Sequence, residues 1–293
     1  MNLFPAHEAE PAAHAFTSQG LKLNYLDWGH PEAPIALLAH GVRDHARSWD
    51  WTAHALLKDG WRVVALDLRG HGDSDWSPDG AYLSSYQVQD LADLIDHLGA
   101  PQLSIIGHSF GGTISARFAA MFPERVRKLV IIDGMGPGPE NFERWNRKGP
   151  VARTREWLEQ RRKTAAAPPT LFRTIEEAIS RLADLHPHLS PDQAEHLARY
   201  GVRRAPGGWT WKSDPLMSFF PPEDYYADTA DVWNSLACPT LIFWGAKSFT
   251  VDPIADGRAA LVRDGRTVVY EDAGHWPHHE RFDDFCAELR AFL

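Results

Sequence analysis

Leu103-Ser104-Ile105-Ile106-Gly107-His108-Ser109-Phe110-Gly111-Gly112 is the stretch that decides the fold. A short apolar run enters Gly-x-Ser-x-Gly, and a segment rich in alanine and other small residues continues to Met121. The pattern predicts a strand, an abrupt turn and a helix, with one hydroxyl at the apex. Such a turn lifts its side chain off the end of a sheet, where both a base and a substrate can reach it. The expected chemistry is attack on an acyl carbon by Ser109.

Working outward, short apolar runs recur at Ile35 to Ala39, Trp61 to Leu66, Leu129 to Ile132, Thr240 to Trp244 and Thr267 to Tyr270. Several are apolar on both faces, which predicts parallel strands covered by helices. Phe16-Thr17 and Leu21 to Trp28 flank Gln19-Gly20 and read as an opening hairpin. Ser85 to Leu98 sets Val88, Leu91, Ile95 and Leu98 on one helical face, and Phe282, Phe285, Cys286, Leu289 and Phe292 form another stripe. Strand–helix alternation of this kind is an open α/β sheet.

The alternation breaks after Asp133. From there to Asn234 the sequence shows helical patterns and little strand. Leu182, Leu185 and Leu189 read as one helical face. Ser190-Pro191-Asp192-Gln193 reads as a cap opening a helix through Tyr200, and Ala205-Pro206-Gly207-Gly208 as a turn. The expected organisation is a core of residues 1–136 and 235–293 with a helical insertion, 137–234, acting as a cap over the site.

The chain has 293 residues and a formal charge of −9, from 30 basic and 39 acidic side chains. The arginines are scattered, so no nucleic-acid partner is expected. Cys238 and Cys286 each lie in an apolar stretch and read as buried free thiols. No neighbouring cysteine or spaced histidine completes a metal site around them. Met1 to Glu10 has no basic region followed by an apolar one, so no signal peptide is expected. No apolar run approaches the ~18 residues of a membrane span. A cytoplasmic enzyme follows as the expectation, monomer or homodimer, with no metal and no organic cofactor.

A serine hydroxyl needs a base, and the base needs a third group to orient it. Among 15 histidines, His275 in Asp272-Ala273-Gly274-His275-Trp276-Pro277 follows the last apolar strand, where a loop delivers an imidazole to the sheet's carboxyl edge. His40-Gly41-Val42 follows Ile35 to Ala39. The N–H groups of Val42 and Phe110 are the expected oxyanion hole.

Together, His40-Gly41, Asp67-Leu68-Arg69-Gly70-His71-Gly72-Asp73-Ser74, Gly107 to Gly112 and Gly274-His275 resemble the α/β-hydrolase fold superfamily in its cap-bearing form. The resemblance implies a mostly parallel eight-stranded sheet flanked by helices, and a serine triad. It implies a structural role, without chemistry, for Asp67 to Ser74. Relatives often carry the triad acid four residues into the turn after the strand Leu241 to Trp244, but Ser248 stands there in this chain. Asp133, at the end of its strand, is the preferred acid because a strand end holds a carboxylate more firmly than a loop tip. Asp252 is the alternative. Relatives that open epoxides or remove halide carry an aspartate where this chain has Ser109, so those activities are not expected. The expected substrate is a small to medium apolar carboxylic ester. Thioester, lactone and carbon–carbon bond hydrolysis are the alternatives, and a non-catalytic binding protein on the same fold is a further one. Phe110 is expected beside the acyl group, and Arg43, Arg47 or Arg117 would be needed for an acidic substrate. The insertion supplies Trp145, Trp157, Phe172, Trp209, Trp211, Phe219, Phe220, Tyr225 and Tyr226, either to the pocket or to a small core of its own.

Overall fold

β-branched and leucine-rich runs that bury both faces form the centre of the sheet, and the polar-faced hairpin forms one edge. The structure is a computed structural model and describes residues 10–218 and 229–293. The chain opens with β1 (Ala12–Ser18) and β2 (Leu21–Trp28), then β3 (Ile35–Ala39), helix α1 (Asp50–Lys58), β4 (Arg62–Leu66) and α2 (Ser84–His97). It continues through β5 (Leu103–His108), α3 (Phe110–Met121) and β6 (Val126–Ile132). Between β6 and the next sheet strand come α4 (Pro139–Arg147), α5 (Pro150–Ala166), α6 (Ile175–Leu185), α7 (Pro191–Gly201), a hairpin of β7 (Val202–Ala205) and β8 (Gly208–Trp211), and α8 (Thr229–Asn234). The sheet then resumes with β9 (Thr240–Gly245) and β10 (Gly265–Tyr270), and the chain ends in α9 (Pro277–Glu280) and α10 (Phe282–Phe292).

The eight sheet strands run β1-β2-β4-β3-β5-β6-β9-β10. Only the β1–β2 and β2–β4 pairs are antiparallel. The others are parallel, so β3, β4, β5, β6, β9 and β10 all end at one edge. Strand order reverses at β3 and β5. A crevice at the carboxyl ends beside such a reversal is where open α/β sheets bind ligands.

Alternate residues of each central strand feed two separate cores. Leu37, Val64, Ile105, Leu129 and Ile242 face α2 and α3. Leu38, Val63, Ile106, Val130 and Phe243 face α1 and α10. The helix after the serine turn packs closely because it begins with small residues. A Cβ at Gly111 would stand 2.1 Å from the carbonyl oxygen of Ala39, so only glycine lets α3 start against the end of β3.

The insertion differs from its expected form in two ways. It contains the β7–β8 hairpin, with Pro206-Gly207 at its turn, as well as helices. Also, α6 stops at Leu185, which is 49% exposed, and the buried Leu189 lies beyond it. The three leucines therefore share no helical face. The cause is the helix stop at His186, after which Pro187 cannot continue the turn. The capping box predicted at Ser190 is present: Ser190 Oγ accepts from the Gln193 N–H, and the Gln193 side chain accepts from the Ser190 N–H. Both cysteines are free and buried. Among the described residues no helix is long and apolar enough to cross a membrane.

Candidate active site

Ser109 stands between β5 and α3 with φ 53 and ψ −120, a left-handed backbone that a side chain rarely adopts. Packing holds it there. Its N–H donates to the Ile132 carbonyl at 2.8 Å, and its own carbonyl accepts from the Thr113 N–H. The strain aims Oγ away from the sheet, into a cavity of about 370 Å³.

His275 follows β10 and meets Ser109 from the far side of β6 and β9. Its Nε2 lies 3.0 Å from Ser109 Oγ, in reach to take the hydroxyl proton. Its Nδ1–H donates to Asp133 Oδ2 at 2.5 Å. A carboxylate can only accept, so this contact fixes the proton on Nδ1 and leaves Nε2 with a lone pair towards Ser109. Three neighbours set the loop. Glu280 accepts from the N–H groups of Gly274 and Trp276, at 2.7 Å and 3.1 Å. His108 Nε2–H donates to the His275 carbonyl at 2.8 Å, and burial keeps that ring neutral, far below its ordinary pKa. Gly245 lets the end of β9 come close, since a Cβ there would stand 2.0 Å from the Gly274 carbonyl oxygen. Sequence reasoning missed Glu280. The only signal for it is a carboxylate five residues past the histidine, which chain position alone does not distinguish from a solvent-facing one.

Asp133 is the residue that the strand-end argument favours, and it faces His275. Its φ is 46, and its N–H donates to the Phe243 carbonyl at 2.7 Å. The carboxylate is fully shielded from solvent and accepts from two hydroxyls, Ser248 Oγ at 2.5 Å and Thr250 Oγ1 at 2.6 Å. Ser248 thus stands beside the acid rather than replacing it. Asp252 is elsewhere occupied: its Oδ1 accepts from the N–H groups of Ile254 and Ala255, the turn-starting role of an aspartate before proline.

Val42 and Phe110 line the same cavity as Ser109 and His275. The loop carrying Val42 is fixed from below. His40 Nδ1–H donates to the Gly41 carbonyl at 2.7 Å and its Nε2 accepts from the Leu68 N–H at 3.1 Å. His71 Nε2 accepts from the Arg43 N–H at 3.0 Å. Burial pushes both imidazoles down to about 3, so neither carries charge near neutrality. Asp67 accepts from the N–H groups of Ala46 and Asp73 and from Asn24. The Asp67 to Ser74 segment therefore does structural work, holding the Val42 loop.

The cavity is mainly apolar. Phe110, Met135, Phe142, Val232, Trp233 and Phe249 line it, with Arg117 one α3 turn beyond Thr113. Of the aromatics expected from the insertion, those among the described residues lie elsewhere. Phe172 and Val202 pack with Trp209 and Trp211 in the insertion's own core, and Trp157 lies under the Arg161 guanidinium. Phe219, Phe220, Tyr225, Tyr226 and the side chain of Trp145 lie outside the described residues. The insertion reaches the cavity through Pro137, Asn141 and Phe142 near α4 and through Val232 and Trp233 of α8. Phe249, its ring centroid 4.4 Å from that of His275 and tilted by 46°, was not anticipated; as a lone aromatic in a turn it carries no periodic signal.

A hydroxyl at a strained turn after β5, an imidazole after the last strand and a buried carboxylate after β6 form the arrangement of a serine-dependent hydrolase. Comparison with known proteins agrees. Residues 34–282 match the alpha/beta hydrolase fold family. The chain belongs to that family. It is 31% identical over 191 residues to a serine hydrolase-like protein of Danio rerio, a match covering 64% of this chain and 57% of that protein. It is 27% identical over 289 residues to epoxide hydrolase 4 of Mus musculus, covering 94% and 77% of the two chains. Among solved structures, the thioesterase domain from the curacin biosynthetic pathway superposes with a TM-score of 0.81 at 22% identity, over 96% of this chain and 100% of that one. That last likeness speaks to fold alone.

Proposed function

We propose that the chain is a serine esterase that cleaves small to medium apolar carboxylic esters through an acyl-enzyme on Ser109. The observation that carries this reading is the 3.0 Å contact between Ser109 Oγ and His275 Nε2, inside an apolar cavity of about 370 Å³. Such a cavity suits an acyl or alkoxy group of modest size better than a sugar or a peptide. His275 takes the Ser109 proton as Oγ attacks the acyl carbon. The Val42 and Phe110 N–H groups receive the oxyanion. Protonated His275 passes its proton to the departing alcohol, and a water activated by His275 then releases the acid. Asp133 keeps the proton on Nδ1 and stabilises the imidazolium at both stages. An alkyl-ester route, which the superfamily resemblance ties to an aspartate nucleophile, does not fit Ser109.

The same reading takes residues 137–234 as a cap over the site. Two buried free thiols fit a reducing compartment, and we place the enzyme in the cytoplasm.

The test is labelling with a fluorophosphonate probe beside hydrolysis of a nitrophenyl butyrate. Ser109→Ala is expected to abolish the label and the turnover together. Asp133→Asn is expected to lower kcat by about 10³ to 10⁴-fold, as loss of a triad carboxylate does elsewhere. Asp252→Asn is expected to leave kcat nearly unchanged. A folded wild-type protein that no probe labels overturns the reading, and a larger loss at Asp252 overturns the acid assignment.

A further inference from the structure

We propose that Ser248 and Thr250 are positioning residues: their two hydroxyls hold the Asp133 carboxylate against His275 and share its charge. The proposal rests on the hydrolase reading above and extends it to a loop that no step of that mechanism uses.

The argument begins with where the hydroxyl protons go. A hydroxyl has one proton and two lone pairs. Thr250 Oγ1 accepts from the Trp244 indole N–H at 3.1 Å and lies 2.6 Å from Asp133 Oδ1. Ser248 Oγ accepts from the Thr250 N–H at 3.2 Å and lies 2.5 Å from Asp133 Oδ2. Thr250 Oγ1 also lies 3.2 Å from Ser248 Oγ. The ionised carboxylate can only accept, so its shorter contacts take the proton of each hydroxyl. Asp133 Oδ2 also receives the His275 Nδ1–H, so that oxygen is shared between the serine and the imidazole.

The loop that carries the hydroxyls is tied to both partners of the Asp133–His275 pair. The Ser248 N–H donates to the Gly245 carbonyl, and the Lys247 N–H to the Ala273 carbonyl two residues before His275, each at 2.9 Å. Arg258 Nη2 donates to the Val251 carbonyl at 2.9 Å, and its Nη1 to the Met135 carbonyl at 3.0 Å, two residues after Asp133. One turn therefore sets the spacing of acid and base.

This arrangement has an electrostatic consequence. Asp133 is shut off from solvent, so water cannot share its charge. Hydrogen bonds to an ionised group in such a place are strong. Two donated O–H bonds spread the negative charge that would otherwise face the imidazole alone. Removing them leaves more of it on His275, favours the imidazolium and shifts the base towards its inactive form at a given pH. Among the described residues, the other titratable or charged groups near His275 include His108 on β5, His186 after α6, His188 beside Gly274, His278 on α9, Glu280 beneath the loop and Arg117 in the cavity wall. Arg258 and its partner Asp256 lie beyond Asp133. The proposal requires none of these to change.

The experiment compares Ser248→Ala, Thr250→Val, the double variant and Thr250→Ser. Two readings are taken on each: the pH profile of kcat/KM on a nitrophenyl ester, and titration of the His275 ring nitrogens by NMR. Each hydroxyl loss is expected to lower kcat about tenfold, the size expected for a hydrogen bond to a buried charge. KM should hold. Thr250→Ser, which keeps the hydroxyl, should stay near wild type. In the double variant the acid limb and the His275 titration should both move to higher pH. An unmoved His275 titration in a folded double variant overturns the proposal. So does an equal loss in Thr250→Ser and Thr250→Val, which would assign the effect to packing at this position rather than to the hydroxyl. Thr250→Val keeps the shape of the side chain, so it serves if the double variant fails to fold. The NMR reading needs no turnover. A wild type that no fluorophosphonate labels, with the His275 shift intact in the variants, would sink the esterase reading and keep this one.

Discussion

The sheet and the insertion are packed to different depths. The central strands bury nearly every side chain on two faces, and each face has its own cluster of aliphatic and aromatic residues. The insertion has a buried cluster of Phe172, Ala178 and Val202, flanked by half-buried Ile175, Trp209 and Trp211. Its longest helix, α5, buries no residue. The division of labour follows this contrast. Ser109, His275, Asp133 and the groups that orient them all stand on the sheet side, where dense packing fixes geometry to the precision proton transfer demands. Among the described residues the insertion offers only cavity walls, Asn141 and Phe142 among them. A wall tolerates looser packing, and weakly held elements are the first to open.

The seam between the two regions is rich in histidine, and this is where the contrast should break most visibly. His45 Nε2–H donates to the Leu197 carbonyl of α7 at 2.9 Å, and Gln193 of α7 donates to the His279 carbonyl at 3.2 Å. Burial pushes His45 down to about 4 and His279 to about 3, with His40 and His71 also at about 3 and His278 well below its ordinary value. For each, the unfolded chain binds a proton near pH 6.5 and the folded chain does not. Their contribution is complete above pH 6.5 and is lost as pH falls towards 4 and 3. Buried carboxyls work the other way across part of this window. Burial pushes Asp44 up to about 7, and it raises Asp50 and Asp67. Those acids favour the folded state as pH falls, but the histidines outnumber them. The melting temperature should therefore drop steadily from pH 6.5 to pH 4. Amide exchange at α7 should accelerate before exchange at β5. Simultaneous opening of both would show that seam and sheet form one cooperative unit.

A second comparison uses one aromatic from each region. Phe285 is wholly buried, with its ring centroid 4.9 Å from that of Phe243. Phe172 is nearly buried, but its flanking tryptophans are half exposed. Phe285→Ala should cost about 3 to 5 kcal/mol, the usual range for emptying a rigid core site. Phe172→Ala should cost less than about 2 kcal/mol, because a thin cluster can collapse onto the gap. Urea unfolding at neutral pH checks both. Equal costs would mean that the insertion is held as firmly as the sheet.

The same difference governs what the sequence reveals. Leu103 to Ile106 and Leu129 to Ile132 are apolar on both faces, so their strand character and the positions of Ser109 and Asp133 at their ends follow from pattern alone. His275 is legible because the last strand delivers it. The β7–β8 hairpin escapes because Val202-Arg203-Arg204-Ala205 is too short to show alternation and faces no large core. Its ordering comes instead from tertiary pairing, with Phe172 and Trp209 exchanging N–H and carbonyl at 2.8 Å. Pocket walls such as Phe249 and Trp233 come from separate loops and helices, and no local spacing links them. The Ser248 and Thr250 hydroxyls are hidden for a related reason. In one dimension a serine at the place of a missing acid looks like a loss, and only the fold brings Asp133 from another strand to meet it.

The smallest expected effect probes the insertion where the sequence reads it best. Ser190 and Gln193 exchange hydrogen bonds at the start of α7, which satisfies two backbone N–H groups that the helix cannot. Losing such a cap costs about 1 kcal/mol. Because α7 also carries the Leu197 carbonyl that binds His45, fraying at Ser190 should reach the seam. Ser190→Ala should therefore lower global stability by about 1 kcal/mol or less while raising amide exchange across α7 by a larger factor than across β5. Ser190→Asp, which keeps an accepting oxygen at the cap, should restore both. If Ser190→Ala raised exchange equally in β5 and α7, the insertion would share the stability of the sheet, and the contrast in packing would carry no energetic weight.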